Sequence, residues 1–325
     1  MPVGNSDRGV GLWAGQVMFG IDNANQYIDW WHAPLDDLGE GFEHRGTLTS
    51  MVLSPSLTVG LSNYWNMSIT QTLGKRTMTW NGDRPTIHHR NEGSESNFTN
   101  AIGGLLGDTR ALIRYLAVND GQGDGKRWFL GGGLVFPSKH SLTSDPFFLN
   151  GEEKTEHRHF SMSEGVYKGV FEMQFFKKQV INPVFMGGAI TIELPLKENK
   201  WGYKGSQLYD VSLTAFSKQI ESINASIGGS AVARQTTKSY WNGVEAPNSQ
   251  STMVTVGGGV LWNLDFGSIS LNIQKPFFVG GGVSGVGAVK EQKELDQKIS
   301  AWQASLGYRK MFDFVIPWLD PLKDL

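Results

Sequence analysis

Cysteine is absent from this chain. That removes disulfide staples, thiolate zinc sites and a cysteine nucleophile together, and a protein folding in an oxidising compartment loses nothing by it. Charge is scarce: 18% of the 325 residues are Asp, Glu, Lys or Arg, against about 25% in ordinary soluble domains. A net charge of −2 gives no electrostatic footprint for nucleic acid. No stretch approaches the ~18 consecutive apolar residues of a membrane helix. Residues 1–9 contain neither a charged n-region nor an apolar h-region, so no signal peptide is visible in this numbering.

What the chain has in excess is glycine, 41 residues, and aromatic side chains, 11%. Helical periodicity is scarce, and period-two alternation runs nearly end to end. In 161–175, Tyr167, Phe171, Met173 and Phe175 alternate with Glu164, Lys168, Glu172 and Gln174. Successive strand side chains point to opposite faces, so each such segment has one apolar and one polar face. Twelve strands are expected, at about 11–21, 46–60, 64–74, 108–118, 127–137, 161–176, 180–196, 206–218, 222–236, 252–263, 267–278 and 298–314. No linker or low-complexity tract interrupts them, and 1–325 is read as one domain, with 315–325 as a C-terminal tail. The connections alternate long and short, as in a meander whose elaborate loops all lie on one side.

Alternation alone does not say which face is buried. A soluble sandwich or barrel packs its apolar stripe into a dry core, whereas a transmembrane barrel turns it outward to lipid. Here the apolar stripe mixes large side chains with many Gly and Ala, thin filling for a close-packed core. The polar stripe holds Ser, Thr, Asn and Gln with sparse charges: Arg110, Arg114, Lys168, Arg234 and Arg309 against Glu164, Glu172, Glu193, Asp210 and Asp313. Balanced charges on a Ser/Thr-rich face suit a narrow wet interior. Trp65, Trp128, Trp262, Phe312 and Phe314 fall at one end of their strands, as an interfacial girdle requires. The expectation is an all-β chain forming a 12-stranded antiparallel transmembrane barrel of outer-membrane type, with short periplasmic turns and long extracellular loops. Thr109, Ala111, Ile113, Tyr115, Trp128, Leu130, Leu134 and Phe136 would then face lipid. Arg110, Arg114, Glu164, Lys168, Glu172, Glu193, Asp210, Arg234 and Arg309 would line the lumen. Pro55, Pro183 and Pro276 fall inside expected strands and should mark bulges or strand ends.

The segments "SPSLTVGLSNYWNMSITQTLG" (54–74), "GGLLGDTRALIRY" (103–115) and "WFLGGGLVFPSKHSLTSDP" (128–146) resemble bacterial outer-membrane proteins of the phenol meta-pathway transporter type. The resemblance covers about 46–176; beyond that only the strand rhythm matches. It implies a channel passing small hydrophobic or aromatic solutes across the bacterial outer membrane, with lipid and solute as partners and no cofactor. A chain ending on a terminal aromatic would be expected, and Phe312 or Phe314 has to serve.

All seven histidines are placed in the first three long connections: His32 and His44, His88 and His89, and His140, His157 and His159. With acids nearby, His88, His89, His157 and His159 are candidate metal ligands, although loop histidines are commonly plain surface residues. An outer-membrane phospholipase would need a Ser–His pair at a strand rim; no histidine is expected on a strand, and no enzyme is expected. The alternative to a channel is a structural or surface-recognition barrel whose loops bind a partner or assemble into an array, with homo-oligomerisation left open.

Overall fold

In a computed structural model of the chain, residues 11–34, 41–80, 106–120, 124–141, 161–246, 249–281 and 297–320 are described. Fifteen strands follow in chain order: β1 Gln16–His32, β2 His44–Gly60, β3 Trp65–Trp80, β4 Leu106–Asn119, β5 Gly125–Phe136, β6 Lys168–Lys178, β7 Phe185–Pro195, β8 Tyr203–Lys204, β9 Leu208–Phe216, β10 Ala225–Thr236, β11 Tyr240–Trp241, β12 Val244–Glu245, β13 Ser251–Leu264, β14 Gly267–Gly280 and β15 Gln297–Val315. Twelve of them close into an antiparallel barrel, β1 pairing with both β2 and β15. The remaining three, β8, β11 and β12, form a small separate sheet. Short segments 61–64, 120–124, 179–184, 217–224 and 265–266 join strands at the periplasmic end, and longer ones join them at the extracellular end.

The turns are made by local chemistry. Ser62 Oγ accepts from the backbone N–H of Tyr64 and of Trp65, and Leu61 N–H bonds Trp65 O at 2.7 Å. Asp120 caps the next turn, its Oδ2 accepting Lys126 N–H at 3.0 Å. Such side-chain bonds replace the ladder where a chain reverses. The prolines sit where the ladder lapses. The β2–β3 pairing skips Ser54 and Pro55, and the β14–β15 pairing ends at Gln274, short of Pro276. Pro183 lies in the 179–184 turn behind a cis bond.

The apolar parity faces out. Ile113, Leu130, Phe171, Leu213, Ile227, Leu271, Ile273 and Leu306 are all between 41% and 60% exposed. Aromatic pairs ring the periplasmic end: Trp65–Tyr115 (4.9 Å between centroids), Phe266–Tyr308 (6.5 Å) and Phe312–Phe314 (5.4 Å). A second ring lies at the other end, with Tyr27 opposite Trp302 and Phe136 against Tyr167. From Trp302 to Phe312 is ten residues of tilted strand, roughly 25 Å of membrane height, the thickness of the apolar band of outer-membrane barrels.

Four expectations need correction. β1 runs to His32, well beyond 21, and the connection after it shrinks accordingly. His32 therefore ends β1 and His44 opens β2, paired in register, rather than lying in a loop. Their rings are 4.5 Å apart, beside Phe42 and Trp30. β6 starts only at Lys168, so Glu164 stands outside the barrel wall, in the segment leading into it. The little sheet β8–β11–β12 was not expected; it packs Tyr203, Trp241, Val166 and Ala246 into a core of its own, with Trp201 against it.

Candidate functional site

The inward parity encloses a cavity of about 530 Å³. Its two sides differ. β1–β3 and β13–β15 offer mostly neutral polar groups, among them Gln26, Ser54, Thr70, Thr255, Gln274 and Gln303. Here the amides chain together: Gln303 Nε2 donates to Gln274 Oε1, and Gln274 Nε2 to Ser230 Oγ, both at 3.2 Å. The β4–β10 side carries most of the charge.

On that side the register explains which ions meet. Arg114, Gly131 and Glu172 occupy one level on β4, β5 and β6. Two strand spacings, about 9.6 Å, separate the outer two, so a side chain between them would block the approach. At Gly131 a Cβ would stand only 3.2 Å from Arg114 Cγ and 3.4 Å from Glu172 Cβ. With glycine there, Arg114 Nε reaches Glu172 Oε1 at 2.6 Å. Ser68 Oγ takes a second guanidinium N–H at 3.1 Å, and Gln174 Nε2 donates to the same carboxylate at 2.7 Å. The pair is dehydrated, with side-chain exposures of 4% and 2%. A buried ion pair is tolerable only when it is hydrogen-bonded in this way.

Arg110, on the extracellular side of Arg114, spans β5 and β6 to pair with Glu193 on β7. Leu112, Val135 and Val170 are buried together beside these two bridges. Asp210 and Arg234 face each other in register on β9 and β10, the guanidinium bonding Oδ2 through Nη2 at 2.8 Å and Nε at 3.1 Å. Lys168 lines the cavity and pairs with Glu164 above it at 2.8 Å. Arg309 shares the inward parity of Gln303 and Gly307, two residues nearer the periplasm than Gly307. Much of the cavity's charge is therefore neutralised where it stands, by bridges that brace the wall; Asp22, Arg76 and Asp108 also line it, outside those four bridges.

Below the charged belt the interior turns apolar. Leu116, Phe129 and Phe176 are each under 9% exposed and cluster with Phe185. The segment ahead of β1 crosses this end. Gly15 N–H bonds Gly60 O on β2 at 2.7 Å, and Ala14 N–H bonds Asn63 Oδ1. At its far end a Cβ on Gly11 would stand 3.8 Å from Leu116 Cδ2 and 3.9 Å from Arg127 Nη1, on β4 and β5. Leu12 is 1% exposed. Residues 11–15 thus form part of a greasy floor at the periplasmic mouth. Sequence reading did not identify this floor. Its one signal was that 108–118 carries Leu112 and Leu116 on the same parity as Arg110 and Arg114.

At the extracellular end, burial raises the Tyr203 phenol well above its ordinary pKa, the Glu164 charge adds to the effect, and a hydrogen bond from Ser239 opposes it. His88, His89, His157 and His159 lie outside the described residues. Among the described residues no three His, Cys, Asp or Glu side chains gather as a metal site would need.

No protein-family model and no curated protein sequence matches the chain. Solved structures do. The crystal structure of an outer membrane channel from Pseudomonas putida F1 aligns over 94% of this chain and 99% of its own, with a TM-score of 0.55 at 12% identity. The P. putida toluene transporter TodX aligns over 93% and 91%, at a TM-score of 0.38 and 9% identity. The outer membrane protease OmpT from Escherichia coli aligns over 96% and 99%, at 0.29 and 8%. The first shares the barrel fold; the other two are too distant to carry an argument. The chain is an outer-membrane-type β-barrel.

Proposed function

We propose that this barrel is a passive outer-membrane channel for a small, weakly polar or aromatic solute. One observation carries the reading: a cavity of about 530 Å³ most of whose charges are paired on its own wall, above an apolar floor. Its volume is within the ~300–1,000 Å³ range of small-molecule pockets. Paired charges leave little net field to select an ion, while hydroxyls and amides on one side and aromatic rings below suit a solute with one polar edge. Arg110, Arg114, Lys168, Glu172, Glu193, Asp210, Arg234 and Arg309 are the proposed walls of that path; Glu164 holds Lys168 at its mouth. The test is reconstitution. Liposomes carrying the barrel should take up a small neutral phenol faster than a sugar of greater size, and planar bilayers should show small, weakly selective events. Absence of both flux and events refutes it.

A second reading rests on the extracellular sheet β8–β11–β12, a packed platform around Trp241 and Tyr203 of a kind a recognition surface would use. Trimming this sheet separates the two: solute flux should persist or rise, whereas capture of a partner should be lost.

A further inference from the structure

The lipid-facing wall is not uniformly smooth. Across β5, β6, β7, β9 and β10 two outward rows run side by side. One carries Trp128, Phe175 and Leu213 at a single level. The row on its periplasmic side begins with Lys126 opposite Lys177 and ends with Ala215 opposite Gly229. An apolar groove of about 540 Å³ lies between them. Lys126 and Lys177 are one residue from the periplasmic ends of their strands, whereas Gly229 is four residues into β10. Met186 and Ala215, between them on the row, are also one residue from their strand ends; the groove therefore starts at the membrane surface and reaches two residues further in at its upper row, Trp128 to Leu213, on the order of 7 Å of strand. Both lysines are exposed, and among the described residues neither ammonium pairs with a carboxylate.

A cationic pair at the headgroup level that opens into a rising apolar trough matches one kind of ligand, an anionic amphiphile. We propose that this groove binds one glycerophospholipid of the periplasmic leaflet, its phosphate between Lys126 and Lys177 and one acyl chain along Phe175, Leu213 and Gly229. Lysines near a membrane surface attract anionic headgroups, and their stems lie along apolar surface while the ammonium reaches the interface. A second copy of the barrel is the poorer occupant: a two-fold contact over this patch would set the lysine pair against its own counterpart.

The test uses the full chain folded in detergent and titrated with palmitoyl-oleoyl-phosphatidylglycerol, with bound lipid counted by native mass spectrometry. One lipid per barrel should be retained at low lipid excess, and K126Q/K177Q should weaken retention about thirtyfold, two lysines' worth of headgroup attraction. Ala231, opposite Leu213 on β10, also lines the groove; A231F, which fills it and leaves both charges, should weaken retention as well. A palmitoyl-oleoyl-glycerol lacking the phosphate should not be retained. Undiminished retention in K126Q/K177Q, equal retention of the phosphate-free lipid, or a dimer lost in A231F in place of a lipid overturns the proposal. Heat-modifiable migration on a gel confirms that each variant is folded.

Discussion

Arg114→Met removes one half of the best-enclosed ion pair in the lumen. What remains is Glu172, 2% exposed in its side chain, with Gln174 still donating to it. Breaking a buried pair from one side costs about 3–5 kcal/mol, because a charge is left without compensation. The retained amide bond and the nearby wet cavity place the expected loss at the low end, about 3 kcal/mol, or over a hundredfold in the folded-to-unfolded ratio. Glu172→Gln keeps the volume and some hydrogen bonding, so it should cost less, about 1.5–3 kcal/mol. The double variant R114M/E172M removes both charges and should lie within about 1 kcal/mol of the native protein, since replacing a buried pair by apolar groups is commonly near neutral. Equilibrium urea unfolding in liposomes, followed by tryptophan fluorescence, measures all three. If R114M costs under 1 kcal/mol, or the double variant costs the sum of the singles, the bridge does not brace the wall as described.

Other outcomes follow from the same geometry. Leu130→Arg puts a charge on the exposed lipid face and should cost about 2–4 kcal/mol in the same unfolding assay; a cost near zero would mean Leu130 does not face hydrocarbon. Deleting residues 1–14 removes the chain that crosses the periplasmic mouth beside Leu116, and single-channel conductance should rise severalfold; unchanged conductance would place the constriction elsewhere. The raised Tyr203 pKa means that the folded sheet β8–β11–β12 holds a proton the unfolded segment gives up near pH 10. Its contribution is complete below that value and is lost as pH rises further, so Trp241 fluorescence should change only above about pH 10; a change near neutrality would contradict it.

The barrel was legible because lipid on one side and water on the other force strict alternation, and eight of the twelve wall strands begin and end within three residues of where the pattern places them; β3 runs six residues further, to Trp80, and β7 starts five residues later, at Phe185. The failures have local causes. In β1 the outward positions Asn23 and Asn25 are polar and hydrogen-bond to each other, so the alternation that marks a strand disappears midway and the rest looks like a loop. That error carried His32 and His44 with it. The start of β6 was misplaced because Gly165 and Tyr167 continue the alternation into a segment outside the wall. The charged lumen residues stood out by parity, but their partners did not: Arg114 meets Glu172 only because Gly131 is level with both, a register no single strand reveals. The floor was hidden for another reason. Five residues ahead of β1 have no period to read, and strands apolar on both parities look like lipid-facing ones.

The absence of cysteine makes the central assignment directly measurable, since single cysteines can be introduced and spin-labelled along β4, β5 and β6. With the barrel in liposomes, labels at 113, 130 and 171 should be accessible to oxygen dissolved in the hydrocarbon and shielded from a water-soluble nickel chelate. Labels at 112, 131 and 172 should lose that oxygen access. A reversed alternation, or none, would contradict the assignment of the apolar face to lipid and of the polar face to a lumen.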